Sequence, residues 1–266
     1  MHIVVCAKDI LDPEIPPDKF KIDPDARRLI PPKGIAPVMN PYDERAVELA
    51  LRLKEKYGGK ITVLTLGSPV PVRVVKHALS MGADEGVVLA DQEFEGSDSF
   101  GTGYILTRAI QKIGNYDLIL CGRQAADWDE GLVGSIIAQN LSLPLVTLIK
   151  AIEVIEGRLK VNRVTLDGYQ IFSVPMPAIA TVSNEVGRPR LPGGWGIISA
   201  ARKQVPIWSG RDIDADPSQI GAGAARRKLA KLFIPERKSQ CEVLQGETAA
   251  EAAIKLAERL RESGVI

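Results

Sequence analysis

The chain has 266 residues, 45% of them hydrophobic, with 34 Lys and Arg against 33 Asp and Glu for a formal net charge of +1 at pH 7. That is enough apolar chain to bury a core in one large domain, or in a domain with an appendage. The charge balance excludes bulk attraction to nucleic acid or an anionic membrane. Cys6, Cys121 and Cys241 are the three cysteines, far apart and without CxxC spacing, which argues against a zinc or redox pair and a disulfide framework and for a reducing cytoplasm. The apolar opening MHIVVCAKDI becomes charged too soon for a signal sequence or a membrane span, so neither export nor membrane insertion is expected.

HIVVCA is a short, continuous Val/Ile run of the kind that forms a strand buried on both faces of a parallel sheet. ITVLTLG, EGVVLA and YDLILCG repeat the pattern. Between them lie helical periods. PYDERAVELALRLKEKYGG sets Ala46, Val47, Ala50, Leu51 and Leu53 on one side, opens after Asn40 with a proline in its first turn and ends in two glycines. PVPVRVVKHALSMGA and GTGYILTRAIQKIGN also predict helices. Strands alternating with helices imply right-handed crossovers and an open, doubly wound, mostly parallel α/β sheet.

From Ile152 the pattern changes. IEVIEGRLKVNRVTLDGYQIFSV reads as alternating strands joined by turns at EGR and LDGY, an antiparallel addition to the sheet. PAIATVS is one more buried strand. EVGRPRLPGGWGIISAARKQ is so dense in Gly, Pro and Arg that no regular element is expected, and the basic run ARRKLAKLF reads as a solvated helix face. TAAEAAIKLAERLRESG is a helix. Few segments after residue 190 can build a core, so residues 1–190 are expected to form the α/β domain and residues 191–266 an extended arm that packs on a partner.

In such a sheet ligands bind outside the carboxyl ends of the strands, where the strand order reverses. The ends in question are Cys6 with Ala7 and Lys8, Leu66 with Gly67 and Ser68, and Gly122 with Arg123 and Gln124. The turn of Asn40, Pro41, Tyr42 and Asp43 reaches the same rim. Gly122 and Gly131 permit close backbone approach, and the amides from Gly131 to Ser135 open a helix and would face an anion. Asp127 or Asp129 could accept from ribose hydroxyls; alternatively they only cap the helix. Neither GxGxxG nor GxxxxGK[ST] is present. His2 and His77 read as surface residues, Cys121 as a small buried hydrophobe, and no hydrolase or metal signature appears. Trp128 and Trp195 fall in loops, as candidate contacts for a cofactor or partner.

Taken together, MNPYDERAVELALRLKEKYGGKITVLTLG, ALSMGADEGVVL, YDLILCGRQAADWDEGLVG, DGYQIFSVPMPAIATVSNEVGRPR and LFIPERKSQCEVLQGE resemble, in order and spacing, the beta subunit of an electron transfer flavoprotein. The resemblance implies a heterodimer with an alpha subunit, an FAD shared at the mouth between subunits, and electrons passing from a dehydrogenase or NADH to an acceptor such as a quinone reductase. It also implies an adenine nucleotide within this chain, AMP in one branch and a second FAD in the bifurcating branch. By position that pocket takes Cys6, the four residues Asn40, Pro41, Tyr42 and Asp43, and Leu66. To these it adds Gly122, Arg123, Gln124, Ala125, Ala126 and Asp127, and then Trp128, Asp129, Glu130, Gly131, Leu132 and Val133. Tyr42 takes the place of an aromatic near the alpha-subunit flavin.

The C-terminal half, with PERK at 235–238, resembles the bifurcating branch more closely. The pocket loop departs from both branches, and Glu130 stands where a small neutral donor is expected beside phosphate. Gly194 and Trp195 occupy the loop that dehydrogenase partners grip, with Trp195 as the candidate anchor; it could instead fold back on its own arm. The rival reading is a stand-alone adenine-nucleotide sensor or adenylyl-transfer enzyme on the same scaffold.

Overall fold

Alternate side chains of strand β1 (His2–Ala7) point to opposite faces, and both sets are buried: Ile3 and Val5 on one side, Val4 and Cys6 on the other. A strand covered on both faces has no reason to alternate polar and apolar residues, which is why HIVVCA is continuous. In the computed structural model, which describes all residues except 17–18, 69 and 236–240, this strand is the middle of the parallel block.

Two short ladders follow, β2 (Asp9–Ile10) with β5 (Val38–Met39) and β3 (Lys21–Asp23) with β4 (Arg28–Ile30). The chain then alternates α1 (Pro41–Tyr57), β6 (Lys60–Leu66), α2 (Val72–Met81), β7 (Glu85–Leu89), α3 (Ser99–Ile113), β8 (Leu118–Gly122) and α4 (Val133–Leu141). β9 (Leu145–Ile155), β10 (Arg158–Thr165), β11 (Gly168–Pro175) and β12 (Ala178–Val182) come next, then α5 (Gly194–Arg202), β13 (Ile207–Trp208), the single turn α6 (Gly221–Ala224) and α7 (Ala249–Glu262).

Among the described residues the main sheet runs β11-β10-β9-β12-β8-β1-β6-β7-β13. β9 to β13 in that order pair in parallel, and β10 and β11 are antiparallel additions, the α/β class the sequence predicts. α1, α2 and α5 share one buried cluster with the sheet, and α3 and α4 the other. Each fully buried Ile, Val or Leu contributes about 1.5–3 kcal/mol, so these two layers dominate the stability of the unit. α1 opens with Pro41 at its start and Asp43 and Glu44 in its first turn, and it closes on Gly58 at φ 71°.

The chain divides into two compact units, Met1–Ala230 and Lys231–Ile266. Residues 191–230 therefore belong to the first unit rather than to an arm beginning at 191. The stretch expected to be irregular forms α5, because its glycine serves packing: a Cβ on Gly196 would lie 2.2 Å from the Ser80 carbonyl oxygen on α2. Lys76 of α2 donates to the Ala200 and Ala201 carbonyls at 2.7 and 3.1 Å, closing the helix C-terminus with a cation. β13 then extends the sheet beside β7.

The basic run is not a helix either. After α6 the segment up to Pro235 forms no helix or strand, and the amides of Arg226 and Arg227 donate to Asp98 Oδ2 at 2.8 and 3.0 Å. Neither histidine is free: the His2 ring bonds Thr62 Oγ1 at 2.9 Å and His77 bonds Glu44 at 2.7 Å. Pro69, where the second helical reading began, and residues 236–238 of PERK lie outside the described residues. No helix among those described is long and apolar enough to cross a membrane.

Candidate functional site

From β1 the chain builds outward through β6 and β7, then returns to lay β8 on the other side of β1. The order reverses between β1 and β8, so the crevice lies beyond Lys8 and Gly122, where such sheets take ligands. The start of α1 seals the base of that crevice. Asp43 is buried, its Oδ2 accepting from the Lys8 amide at 2.8 Å and its Oδ1 from the Gly122 amide at 2.9 Å. Burial pushes its carboxyl up to about 7, against hydrogen bonds from Asn40, Lys8 and Gly122 that pull the other way.

Asn40, 1% exposed, performs the same task one layer out. Its Nδ2 donates to the Gln124 carbonyl at 2.8 Å and its Oδ1 accepts from the Ala126 amide at 3.1 Å. Asn40 and Asp43, singled out as cofactor contacts, thus brace the rim from beneath through main-chain groups.

The crowding at Gly122 comes from α1. A Cβ there would lie 2.3 Å from Asp43 Oδ1 and 2.7 Å from Tyr42 Cβ. Gly122→Ala is expected to destabilise the protein by about 1–3 kcal/mol, read as a lower urea midpoint at unchanged slope. An unchanged midpoint would show that this contact relaxes freely.

Above the brace, the loop from 122 to 132 is ordered by its own polar groups. Arg123 stands over the Tyr42 ring at 5.3 Å and donates to Gln124 at 3.2 Å. Asp127 pairs with Lys8 Nζ at 2.7 Å. Asp129, at φ +53°, accepts from Gln124 Nε2 at 2.6 Å. Trp128 is half exposed, and Leu66 is partly buried at the end of β6. Cys6 and Cys121 are register neighbours in the core, and contact with Cys6 together with burial pushes the Cys121 thiol up, leaving it inert.

Neither aspartate caps α4. The helix starts at Val133, after Leu132, with no side-chain cap, whereas Asp98 caps α3 by accepting from the Phe100 and Gly101 amides. Among the described residues, then, no side chain caps the leading amides of α4. α4 approaches the sheet closely here: a Cβ on Gly134 would lie 2.7 Å from Thr181 Cγ2. Glu130 turns outward, paired with Arg227 Nη1 at 2.8 Å and accepting from the Ser99 hydroxyl. Uncapped amides with the nearby carboxylates engaged elsewhere form a donor set that fits an anionic group such as a nucleotide phosphate.

Two clefts lie to either side. One of about 290 Å³ runs between α3 and α4, lined by Phe100, Tyr104, Ile136 and Leu132. The other, about 370 Å³, is bounded by Met39, Pro41, Arg73 and His77. Each contains one of the residues expected at the pocket, Leu132 and Pro41. Gly194 and Trp195 lie at the start of α5, far along the chain from the rim, with Trp195 85% exposed rather than folded back. Ser99 and Arg227 escaped sequence reading, because nothing local to either residue announces a partner in the loop.

The mostly parallel sheet with helices on both faces places the molecule among doubly wound α/β proteins. Residues 33–211 match the family model described as the electron transfer flavoprotein domain. The chain is 36% identical over 267 residues to the caffeyl-CoA reductase-Etf complex subunit CarD of Acetobacterium woodii, covering 100% of both chains. It is likewise 36% identical over 266 residues to the electron transfer flavoprotein subunit beta of Clostridium acetobutylicum, again covering 100% of both. Protein FixA of Azorhizobium caulinodans is 34% identical over 251 residues, 90% of this chain and 86% of FixA. The chain belongs to the electron transfer flavoprotein beta-subunit family, and its role is in electron transfer.

Proposed function

We propose that the chain is the beta subunit of a heterodimeric electron transfer flavoprotein, joined to an alpha subunit and passing electrons from a dehydrogenase or NADH through FAD to an acceptor such as a quinone reductase. The observation that carries this reading is the uncapped start of α4 at the β1/β8 switch point, with Asp129 held by Gln124 and Glu130 by Arg227. There the amides from Gly131 onward receive the phosphate of an adenine nucleotide, either AMP or the adenylate portion of a second FAD. Bound flavin supplies the redox chemistry, and the protein supplies position and field.

This chain's residues have distinct tasks. Asp43 and Asn40 fix the loop. Arg123, steadied on Tyr42, places a cation beside the position expected for the alpha-subunit flavin. Trp195, exposed with Leu191, Ile197 and Ile198, is the anchor for a redox partner. The segment from 231 to 266, with Val243, Ile254 and Leu256 exposed, packs on the alpha subunit, and the complex works in the cytoplasm. The likeness to a subunit of an Etf-containing reductase complex supports the bifurcating branch.

Releasing and counting the nucleotides of the purified complex tests the reading. Two FAD per heterodimer are expected for the bifurcating type, and one FAD with one AMP for the simple carrier. A stable, colourless monomer active without an alpha chain would overturn the proposal in favour of a stand-alone nucleotide-binding protein.

A further inference from the structure

We propose that Arg227 is a charge-compensating positioning residue for the adenine-nucleotide site: it neutralises Glu130 so that an anion can be held at the start of α4. The inference rests on the reading of the rim given above. Glu130 lies three residues before α4, and an uncompensated carboxylate there opposes a phosphate on the same amides. Its charge is met by the Arg227 guanidinium at 2.8 Å, and its other oxygen accepts from Ser99.

Arg227 is itself held in place through the main chain. Asp98 uses Oδ1 to cap α3, through the Phe100 and Gly101 amides, and Oδ2 to accept from the amides of Arg226 and Arg227. Arg226 lies over the Phe100 ring at 4.7 Å. The start of α3 is thus a junction: Asp98 fixes the backbone that carries Arg227, and Ser99 fixes the carboxylate that Arg227 meets.

The charges around the rim show why this cation matters. Lys8 and Asp127 cancel one another at 2.7 Å. Arg123 lies on the Tyr42 ring, and Asp129 accepts from neutral Gln124. Glu130 and Arg227 form the pair nearest the start of α4. Losing Arg227 leaves the Glu130 carboxylate uncompensated where phosphate is to be received. Because the pair is half exposed, with side-chain exposures of 52% for Arg227 and 31% for Glu130, its loss changes folding stability little. Its effect falls on the anion.

The test uses the full chain copurified with its alpha subunit, stripped of nucleotide and titrated calorimetrically with AMP. Arg227→Ala is expected to weaken AMP roughly ten-fold. Adding Glu130→Gln to that variant should restore wild-type affinity, Glu130→Gln alone, which leaves Arg227 unpaired, should bind AMP more tightly than the wild type, and Arg227→Lys should bind as the wild type does. The ten-fold loss should also shrink as salt rises. A purely structural role for Arg227 would give no rescue by Glu130→Gln. Wild-type affinity in Arg227→Ala, or a loss that Glu130→Gln leaves unrepaired, overturns the inference while the nucleotide site stands. A wild-type heterodimer that carries no adenine nucleotide and binds no AMP overturns the reading of the rim and this inference with it.

Discussion

Asp43→Ala is expected to cost about 3 kcal/mol of folding stability and to loosen the rim at the β1/β8 switch point. Its two oxygens satisfy the part-buried amides of Lys8 and Gly122, at the ends of β1 and β8, and each amide orphaned away from water costs about 1–3 kcal/mol. Asp43→Asn keeps one acceptor and turns an amino group toward the other amide, so an intermediate loss is expected. The pH dependence has a definite sign. The folded carboxyl is raised to about 7 from 3.8, so the unfolded chain gives up its proton first. This contribution is fully present below pH 3.8 and is lost as pH rises toward 7. Urea unfolding at pH 5 and pH 8 should show the wild type losing stability across that interval by more than Asp43→Asn does. Equal slopes, or an alanine variant within ~0.5 kcal/mol of wild type, would remove Asp43 as the brace.

Glu48→Ala should be nearly as damaging, also at about 3 kcal/mol. The Glu48 carboxylate is buried on α1, accepting from Arg52 Nε at 2.7 Å and from the Arg190 amide and Nε at 3.1 and 2.7 Å. Arg52 reaches on to the Val186 carbonyl at 2.9 Å, so the cluster ties α1 to the strap that leads into α5. Removing one member of a buried ion pair costs about 3–5 kcal/mol. The low end applies here because both arginines are partly exposed. Burial raises the Glu48 carboxyl, but hydrogen bonds from Arg190 and Arg52 outweigh it and hold the group below 4.5. Its stabilisation is therefore present above pH 4.5 and lost as pH falls through the folded value. The gap between wild type and Glu48→Ala should narrow below pH 4 in thermal melts; a gap constant with pH would show that ionisation is not its source.

What could be read in advance followed chain order. Continuous Val/Ile runs gave away β1, β6, β7 and β8, because two-sided burial removes any alternation, and the Pro-to-Gly frame around α1 marked both its ends. α5 was hidden by its own composition. Gly194 and Gly196 look like breakers, yet Gly196 is the point at which α5 meets the Ser80 carbonyl, a constraint visible only once α2 is in place. β13 is two residues long and carries no period.

At the rim, the strand ends that meet at the switch point could be read from the strand pattern. The tasks of its residues did not. Asp43 works through amides 35 and 79 residues away, and Glu130 is answered by an arginine 97 residues later, in a run that locally reads as a solvated helix.

β11 closes one margin of the sheet with residues 168–173 exposed in succession, and none of its eight residues is charged. Soluble proteins commonly blunt such a border with lysine, an early proline or a bulge; here Pro175 comes only at the far end, and Tyr169, Ile171 and Phe172 stay open to solvent. Left uncovered, such a border is a template for edge-to-edge pairing, so overproduction of the isolated chain is expected to favour self-association.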